Sequence, residues 1–242
     1  GVVEDFINKE QVASLCQFSS TFNDKKEQEI TLDDYIFRMK KEQEGIYYMV
    51  ADSFDAAKNS PLLEAFRKRE IEVLLLNDRV DHWFSTHTGE YKGKKLISIA
   101  KGDIDFNTID GESKDEKKDN EKHKGLTEKF KTALGDLVKD VRVSHRLVKS
   151  PTCIVGDKND IDPNMQRMLE QFGQEIPEGK VILEINPDHA LIKKMGGEPE
   201  GTRFTDWAKV LLDQAVLADG GQLKDPAGFV QRLNDLILAF QE

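Results

Sequence analysis

The sequence predicts an α/β layer followed by a smaller α+β unit, and three observations lead there. Short apolar runs rich in β-formers alternate with helical patterns in the first part of the chain, as in a layer built around a largely parallel sheet. A mixed-charge stretch, Gly111 to Lys124, then holds five acids and five lysines and no aliphatic residue, so it has nothing to bury. Beyond it come three more β-rich segments and two long amphipathic helices. The expected units are residues 1–110, a charged linker or exposed helix over 111–125, and a C-terminal unit over 126–242. The last should contain a small three-stranded sheet with helices and a terminal helical hairpin.

The elements follow in order. Glu4 to Phe18 predicts a helix on the apolar positions Phe6, Val12, Leu15 and Cys16. Thr31-Leu32-Asp33-Asp34 is a capping-box variant with an acid near the positive helix end, and Tyr35, Ile36 and Met39 give that helix its apolar face. Ile46-Tyr47-Tyr48-Met49-Val50 predicts a buried strand. Ser60 as N-cap and Pro61 at the first helical position open a helix whose inward side chains are Leu62, Leu63 and Phe66. Val73 to Leu76 predicts a strand, Val80 to Thr88 a helix and Leu96 to Ala100 a third strand. In the second unit Leu126 to Leu134 is an amphipathic helix, and Val138 to Val148, Thr152 to Val155 and Val181 to Ile185 are strands. Asp162-Pro163 starts a helix, Asn186-Pro187-Asp188 caps another, and Thr205 to Ala218 and Asp225 to Phe240 form the final pair.

The chain has 242 residues, 38% hydrophobic and 33% charged, with a net charge of −10. That is enough length for two cores under a richly charged surface. The acidic balance argues against a broad nucleic-acid-binding face. Cys16 and Cys153 form no CxxC pair, which fits a reduced cytoplasmic compartment. No apolar run approaches the roughly 18 residues of a membrane span. Phosphate-binding glycine loops, the GxSxG elbow and the HExxH pair are all missing from the sequence. No catalytic, cofactor-binding or metal-binding residue is therefore assigned. His82 and His87, five apart, do not share a helical face, and His145 and His189 read as surface or hydrogen-bonded core residues.

Two patterns rise above this background. Ile161, Met165, Met168, Leu169 and Phe172 fall on one helical stripe, and flexible, polarisable methionine suits surfaces that accept varied apolar partners. Spacing alone leaves an ordinary core helix open. In the last two helices Trp207, Val210, Leu211, Gln214, Leu217 and Ala218 form one stripe, with Leu212, Ala215 and Val216 widening it. Phe229, Leu233, Leu236, Ile237 and Phe240 form another. A terminal hairpin of this kind needs cover, from its own unit or from a second copy.

The segments GIYYMVADSFDAAKNSPLLEAFRKREIEVLLL (Gly45 to Leu76), VRVSHRLVKSPTCIV (Val141 to Val155), LEINPDHALIKK (Leu183 to Lys194) and LLDQAVLADGGQLKDPAGFVQRLNDLI (Leu211 to Ile237) resemble the ninety-kilodalton heat-shock chaperone family in order. The likeness covers nearly the whole chain apart from Gly111 to Lys124. It implies the end of the middle domain joined to the C-terminal dimerisation domain. It also implies that the ATP-binding domain and an arginine loop assisting hydrolysis precede Gly1. ATP and magnesium would belong to the full-length protein, and this fragment would not be an enzyme. The chain ends LILAFQE, without the acidic EEVD tail of eukaryotic cytosolic members, which implies a bacterial or organellar origin and puts tetratricopeptide co-chaperones in doubt. A bacterial cytoplasmic protein is expected.

The resemblance further implies a homodimer, non-native client proteins as partners, and other chaperones as further candidates. Trp83, Ile161, Met165, Met168 and Leu169 would contact clients. Trp207, Leu211, Gln214, Leu217, Phe229, Leu233, Leu236, Ile237 and Phe240 would contact the second copy. The alternative from a different class is an unrelated α/β enzyme binding a nucleotide at its strand ends, with a dimerisation tail; the missing glycines count against it.

Overall fold

A computed structural model describes residues 9–78, 81, 84, 88–102, 104–106, 116–158, 160, 166 and 179–239. The first unit runs α1 (Lys9–Ser14), β1 (Gln17–Ser20), β2 (Ile30–Thr31), α2 (Leu32–Arg38), β3 (Gly45–Val50) and α3 (Phe54–Lys58). A 3-10 turn (Pro61–Leu63) leads into α4 (Glu64–Lys68), β4 (Leu74–Leu76), β5 (Glu90–Tyr91) and β6 (Lys94–Ser98). The six strands lie in the order β2-β1-β4-β3-β6-β5. Only the centre is parallel, β4 and β6 flanking β3, while β1, β2 and β5 join antiparallel. The largely parallel sheet expected from the sequence is thus a mixed one.

The apolar run of β3 is explained by its two covered faces. Tyr47 and Met49 point into one core with Leu75, Leu63 and Phe66. Ile46 and Val50 point into the other with Leu74, Leu76, Phe18 and Tyr35. The Tyr35 hydroxyl ties α2 to β3 by donating to the Glu72 carbonyl at 2.7 Å and accepting from the Tyr47 N–H at 3.0 Å. The Thr31–Asp34 capping box is formed in full, and Ser60 caps the turn that Pro61 begins.

Gly45 opens β3 where β6 crowds it. A Cβ built there would lie 2.6 Å from the Lys95 carbonyl oxygen and 2.6 Å from Ile97 Cδ1. The carbonyl belongs to a paired strand and cannot swing aside. Gly45→Ala should therefore cost about 1–3 kcal/mol, as overpacking does, read as a lowered urea midpoint with unchanged m.

The second unit runs α5 (Glu116–Leu134), a 3-10 turn (Gly135–Leu137), β7 (Asp140–Val143), β8 (Thr152–Val155), β9 (Ile182–Ile185), α6 (Ala190–Gly197), α7 (Thr202–Ala218) and α8 (Pro226–Leu238). Its sheet has the order β7-β9-β8, with β7 parallel and β8 antiparallel to the central β9. Phe130 and Leu134 of α5, Ile192 and Met195 of α6, and Phe204, Ala208, Leu211 and Ala215 of α7 close one core over it.

The units share a core as well as a boundary. Leu147, Cys153, Val155 and Ile182 pack with Phe66, Ile99 and Ala100 of the first unit. The Gly156 N–H donates to the Ala100 carbonyl at 2.9 Å, and the Gly102 N–H donates to the Gly156 carbonyl at 3.0 Å.

Several expectations shift here. Phe18 lies in β1, because the residues after α1 find tertiary partners: Phe18 stacks on Phe84, and the Ser19 and Ser20 hydroxyls bond Lys26 and Glu72. The charged stretch is helical from Glu116, continuous with the helix expected from Leu126. The strand expected over Val138 to Val148 stops at Val143, where Ser144 Oγ accepts the Arg146 and Leu147 N–H groups and turns the chain. The α6 N-cap is His189, whose Nδ1 accepts the Leu191 N–H; Asn186 instead holds the turn before it.

Candidate functional site

The terminal hairpin leaves four large apolar side chains exposed, Leu217, Val230, Ile237 and Leu238. Helix α7 begins at Thr202 and lies on β8 and α5, burying Phe204, Ala208, Leu211, Leu212 and Ala215 in its own unit. Leu211 is thus committed to the chain's own core. Trp207 packs partly against that core, whereas Gln214 is exposed and Leu217 is 47% exposed.

Helix α8 is held differently. Asp225 caps it by accepting the Gly228 N–H at 2.9 Å, with Pro226 at its first position. Arg232 bonds Asp213 of α7 at 3.0 Å and reaches Asp225 at 3.8 Å. Leu236 is the buried residue of the helix. Phe229 and Leu233 are half-buried, and Val230, Ile237 and Leu238 are 53%, 50% and 64% exposed. Of the stripe read from sequence, Leu236 therefore serves the monomer, while Leu233 and Ile237 remain available with Val230 and Leu238, which the stripe omitted. Phe240 lies outside the described residues, as do all five expected client contacts, Trp83, Ile161, Met165, Met168 and Leu169.

A second constellation sits at the seam between the units and was missed from sequence. Arg146, 1% exposed, forms an ion pair with Glu184, 3% exposed. The guanidinium also donates to the Lys101 and Gly102 carbonyls of the first unit. The other carboxylate oxygen accepts the Ser144 hydroxyl at 2.8 Å and lies 3.8 Å from Cys153 Sγ. Burial, with the Glu184 carboxylate adding to it, pushes the Cys153 thiol well up, so it is not a reactive nucleophile. The signal was present: one acid stands in the otherwise apolar ILEI strand and one arginine in the segment before Leu147. A buried charge requires a partner.

On the segment that carries Trp83, the structure describes Asp81, Phe84 and Thr88. The Asp81 carboxyl accepts the Asn77 and Asp78 N–H groups at 3.2 and 3.1 Å, yet burial raises its pKa to about 6. Its folded pKa lies above the unfolded value of about 3.9, so the folded state holds the proton more tightly and stability falls as pH rises between the two values. Asp81→Asn removes this ionisation. Relative to wild type, the variant should gain about 1–3 kcal/mol on going from pH 4 to pH 7, measured by urea unfolding at each pH. A pH-independent difference would contradict it.

At the carboxyl ends of β3 and β6 the described residues lead straight into contacts with the rest of the chain. In open α/β sheets ligands sit beyond the carboxyl ends of the parallel strands. Here the chain beyond β6 is bonded to Gly156 of the second unit, and β3 leads through Ala51, Asp52 and Ser53, with no glycine, into α3. Among the described residues no group of three His, Cys, Asp or Glu side chains could hold a metal ion. No helix among them is long and apolar enough to cross a membrane.

The described residues form two sheets joined at a polar seam and end in an apolar hairpin. The chain belongs to the Hsp90 protein family, whose model matches residues 1–241. It is 53% identical over 239 residues to the chaperone protein HtpG of Coxiella burnetii (strain RSA 331 / Henzerling II), covering 98% of this chain and 38% of that relative. It is 54% identical over 243 residues to the HtpG of Dechloromonas aromatica (strain RCB), covering 99% and 38% respectively. The HtpG of Nitrosomonas eutropha (strain DSM 101675 / C91 / Nm57) is 51% identical over 242 residues, covering 98% and 37%. The chain thus spans 37–38% of the length of these relatives. The reading as an unrelated nucleotide-binding enzyme finds no support in these comparisons.

Proposed function

We propose that this chain is a chaperone segment of the bacterial cytoplasm that binds non-native client proteins and joins two copies into a dimer. The observation that carries the dimer is the α7–α8 hairpin, where Leu217, Val230, Ile237 and Leu238 stay exposed although the unit already has a closed core. Two such hairpins related by a two-fold axis would form a four-helix bundle and hide both faces. Leu211 and Leu236 support the hairpin from within; the contact face comprises Gln214, Leu217, Val230, Leu233, Ile237 and Leu238, flanked by Trp207 and Phe229. Clients of exposed apolar character would be held at Trp83 and at the stripe of Ile161, Met165, Met168 and Leu169. Other chaperones are further candidate partners.

ATP and magnesium act on this reading elsewhere in the longer protein, and the residues present carry no hydrolysis of their own. A steady-state phosphate-release assay on this chain should stay at the buffer rate. The client reading is tested by suppression of aggregation of a thermally unfolding protein. Trp83→Ser, or Met165→Ser with Leu169→Ser, should weaken suppression severalfold while circular dichroism and melting temperature are kept. Variants that unfold would show instead that these side chains belong to the core.

A further inference from the structure

The contact face of the hairpin is not purely apolar, because each of its two helices carries one side-chain amide within it. Val230, Ile237 and Leu238 are the large exposed apolar residues of α8, and Asn234 is exposed among them. At about 100° of turn per residue, Asn234 lies about 40° from Val230 on one side and about 40° from Leu238 on the other. The remaining polar residues of α8, Gln231, Arg232 and Asp235, fall outside the arc that these positions span. Gln214 holds the matching place on α7. It is exposed, about 20° from Trp207 and about 60° from the exposed Leu217.

The two amides also match in level. The Asp213–Arg232 ion pair, at 3.0 Å, sets one helix of the hairpin against the other. Gln214 stands one residue from Asp213 toward the turn, and Asn234 two residues from Arg232 away from it. At about 1.5 Å of rise per residue, the amides straddle the ion pair by about 1.5 Å and about 3 Å. A two-fold axis crossing the face near that level lays α8 of one copy over α7 of the other and exchanges the two levels. Gln214 of each copy then stands opposite the partner's Asn234, with the exposed apolar residues closing around both pairs.

A side-chain amide carries both donors and an acceptor, so one amide satisfies another. Enclosed against an apolar surface it is costly, and a lone polar residue in a helix contact therefore selects the register that gives it a partner. Apolar contact alone is non-directional and does not select one. We propose that Gln214 and Asn234 form two symmetry-related amide bridges in the dimer and fix its register. This inference rests on the dimer reading above, with a second copy of this chain covering the face.

The test is sedimentation equilibrium on four full chains: wild type, Gln214→Leu, Asn234→Leu and the double variant. Both side chains are exposed in the single chain, so every variant should keep the wild-type circular dichroism. Either single variant leaves the other amide facing leucine in two symmetric places. It should raise the dimer dissociation constant about tenfold or more. The double variant strands no amide and should dimerise at least as tightly as wild type. What it loses is the single register. A spin label on Gln222→Cys, in a Cys16→Ser background, reads the distance between the two turns; Gln222 is exposed and Cys153 is buried away from the label. The chain with both amides should give one narrow distance, and the double variant a broad or multiple one. Single variants that dimerise as tightly as wild type overturn the amide bridges, as do losses that simply add in the double variant. A double variant that keeps the one narrow distance overturns their role in register. A monomeric wild type overturns the dimer reading and this inference with it, so the wild-type measurement alone tells the two failures apart.

Discussion

Cutting the chain before Asp225 should convert a dimer into a monomer in sedimentation equilibrium at micromolar concentration. The cut removes α8 and with it Val230, Ile237 and Leu238, three of the four strongly exposed apolar residues of the hairpin. Fully burying one such side chain stabilises by about 1.5–3 kcal/mol. With half of each side chain still to bury, four from each copy give a gross gain of about 6–12 kcal/mol. Half-buried Phe229, Leu233 and Trp207 add to that, against an association cost of about 4–15 kcal/mol. Losing α8 removes most of that gross gain while the association cost stays the same. Truncation also uncovers the α7 surface against which α8 packs, so a soluble double variant is the cleaner probe. Val230→Asp with Ile237→Asp places two charges where the second copy would sit, without touching the buried Leu236. It should be monomeric with native helix content. An intact chain that stays monomeric, or a double variant that stays dimeric, defeats the dimer reading.

How much of this was legible in the sequence depends on the kind of force involved. Local signals held: the Thr31–Asp34 box and the Ser60-Pro61 start appear where their chemistry places them. The β3 run and the ILEI and TCIV strands were legible because a sheet covered on both faces leaves continuous apolar segments. The outer strands β1, β2 and β5 were not. Gln17–Ser20 has two serines among four residues, and it is a strand because Leu74 and Leu75 offer it a ladder. The division of labour within the hairpin was only half legible. Periodicity put Leu211 and Leu217 on one stripe, but it could not show that α5 and the second sheet consume Leu211 and leave Leu217 uncovered. The seam was invisible as a whole, since Arg146 is far in sequence from Lys101 and Gly102 and meets them only after both units have folded.

That seam gives the second large effect. Arg146→Met should destabilise the chain by about 3–5 kcal/mol, because it leaves the Glu184 carboxylate buried without its cation. The loss is more than Coulombic. Glu184 would retain only the Ser144 hydroxyl and the Cys153 thiol as donors, and the Lys101 and Gly102 carbonyls would lose the guanidinium. Removing both charges should hurt less. In Arg146→Met with Glu184→Leu no buried charge remains and apolar side chains replace the pair, so the double variant is spared the unpaired carboxylate that the single one leaves behind. Urea unfolding of the four proteins of this cycle gives the coupling energy, which should be about 2 kcal/mol or more. The shape of the transition carries further information. Leu147, Cys153, Val155 and Ile182 share a core with the first unit, so the wild-type chain should lose its structure in one step. In Arg146→Met the ion pair is gone and the second unit should come apart first, splitting the curve in two. A double variant as unstable as the single one, or an Arg146→Met that unfolds in one step at the wild-type midpoint, would show that the ion pair neither carries the seam nor couples the units.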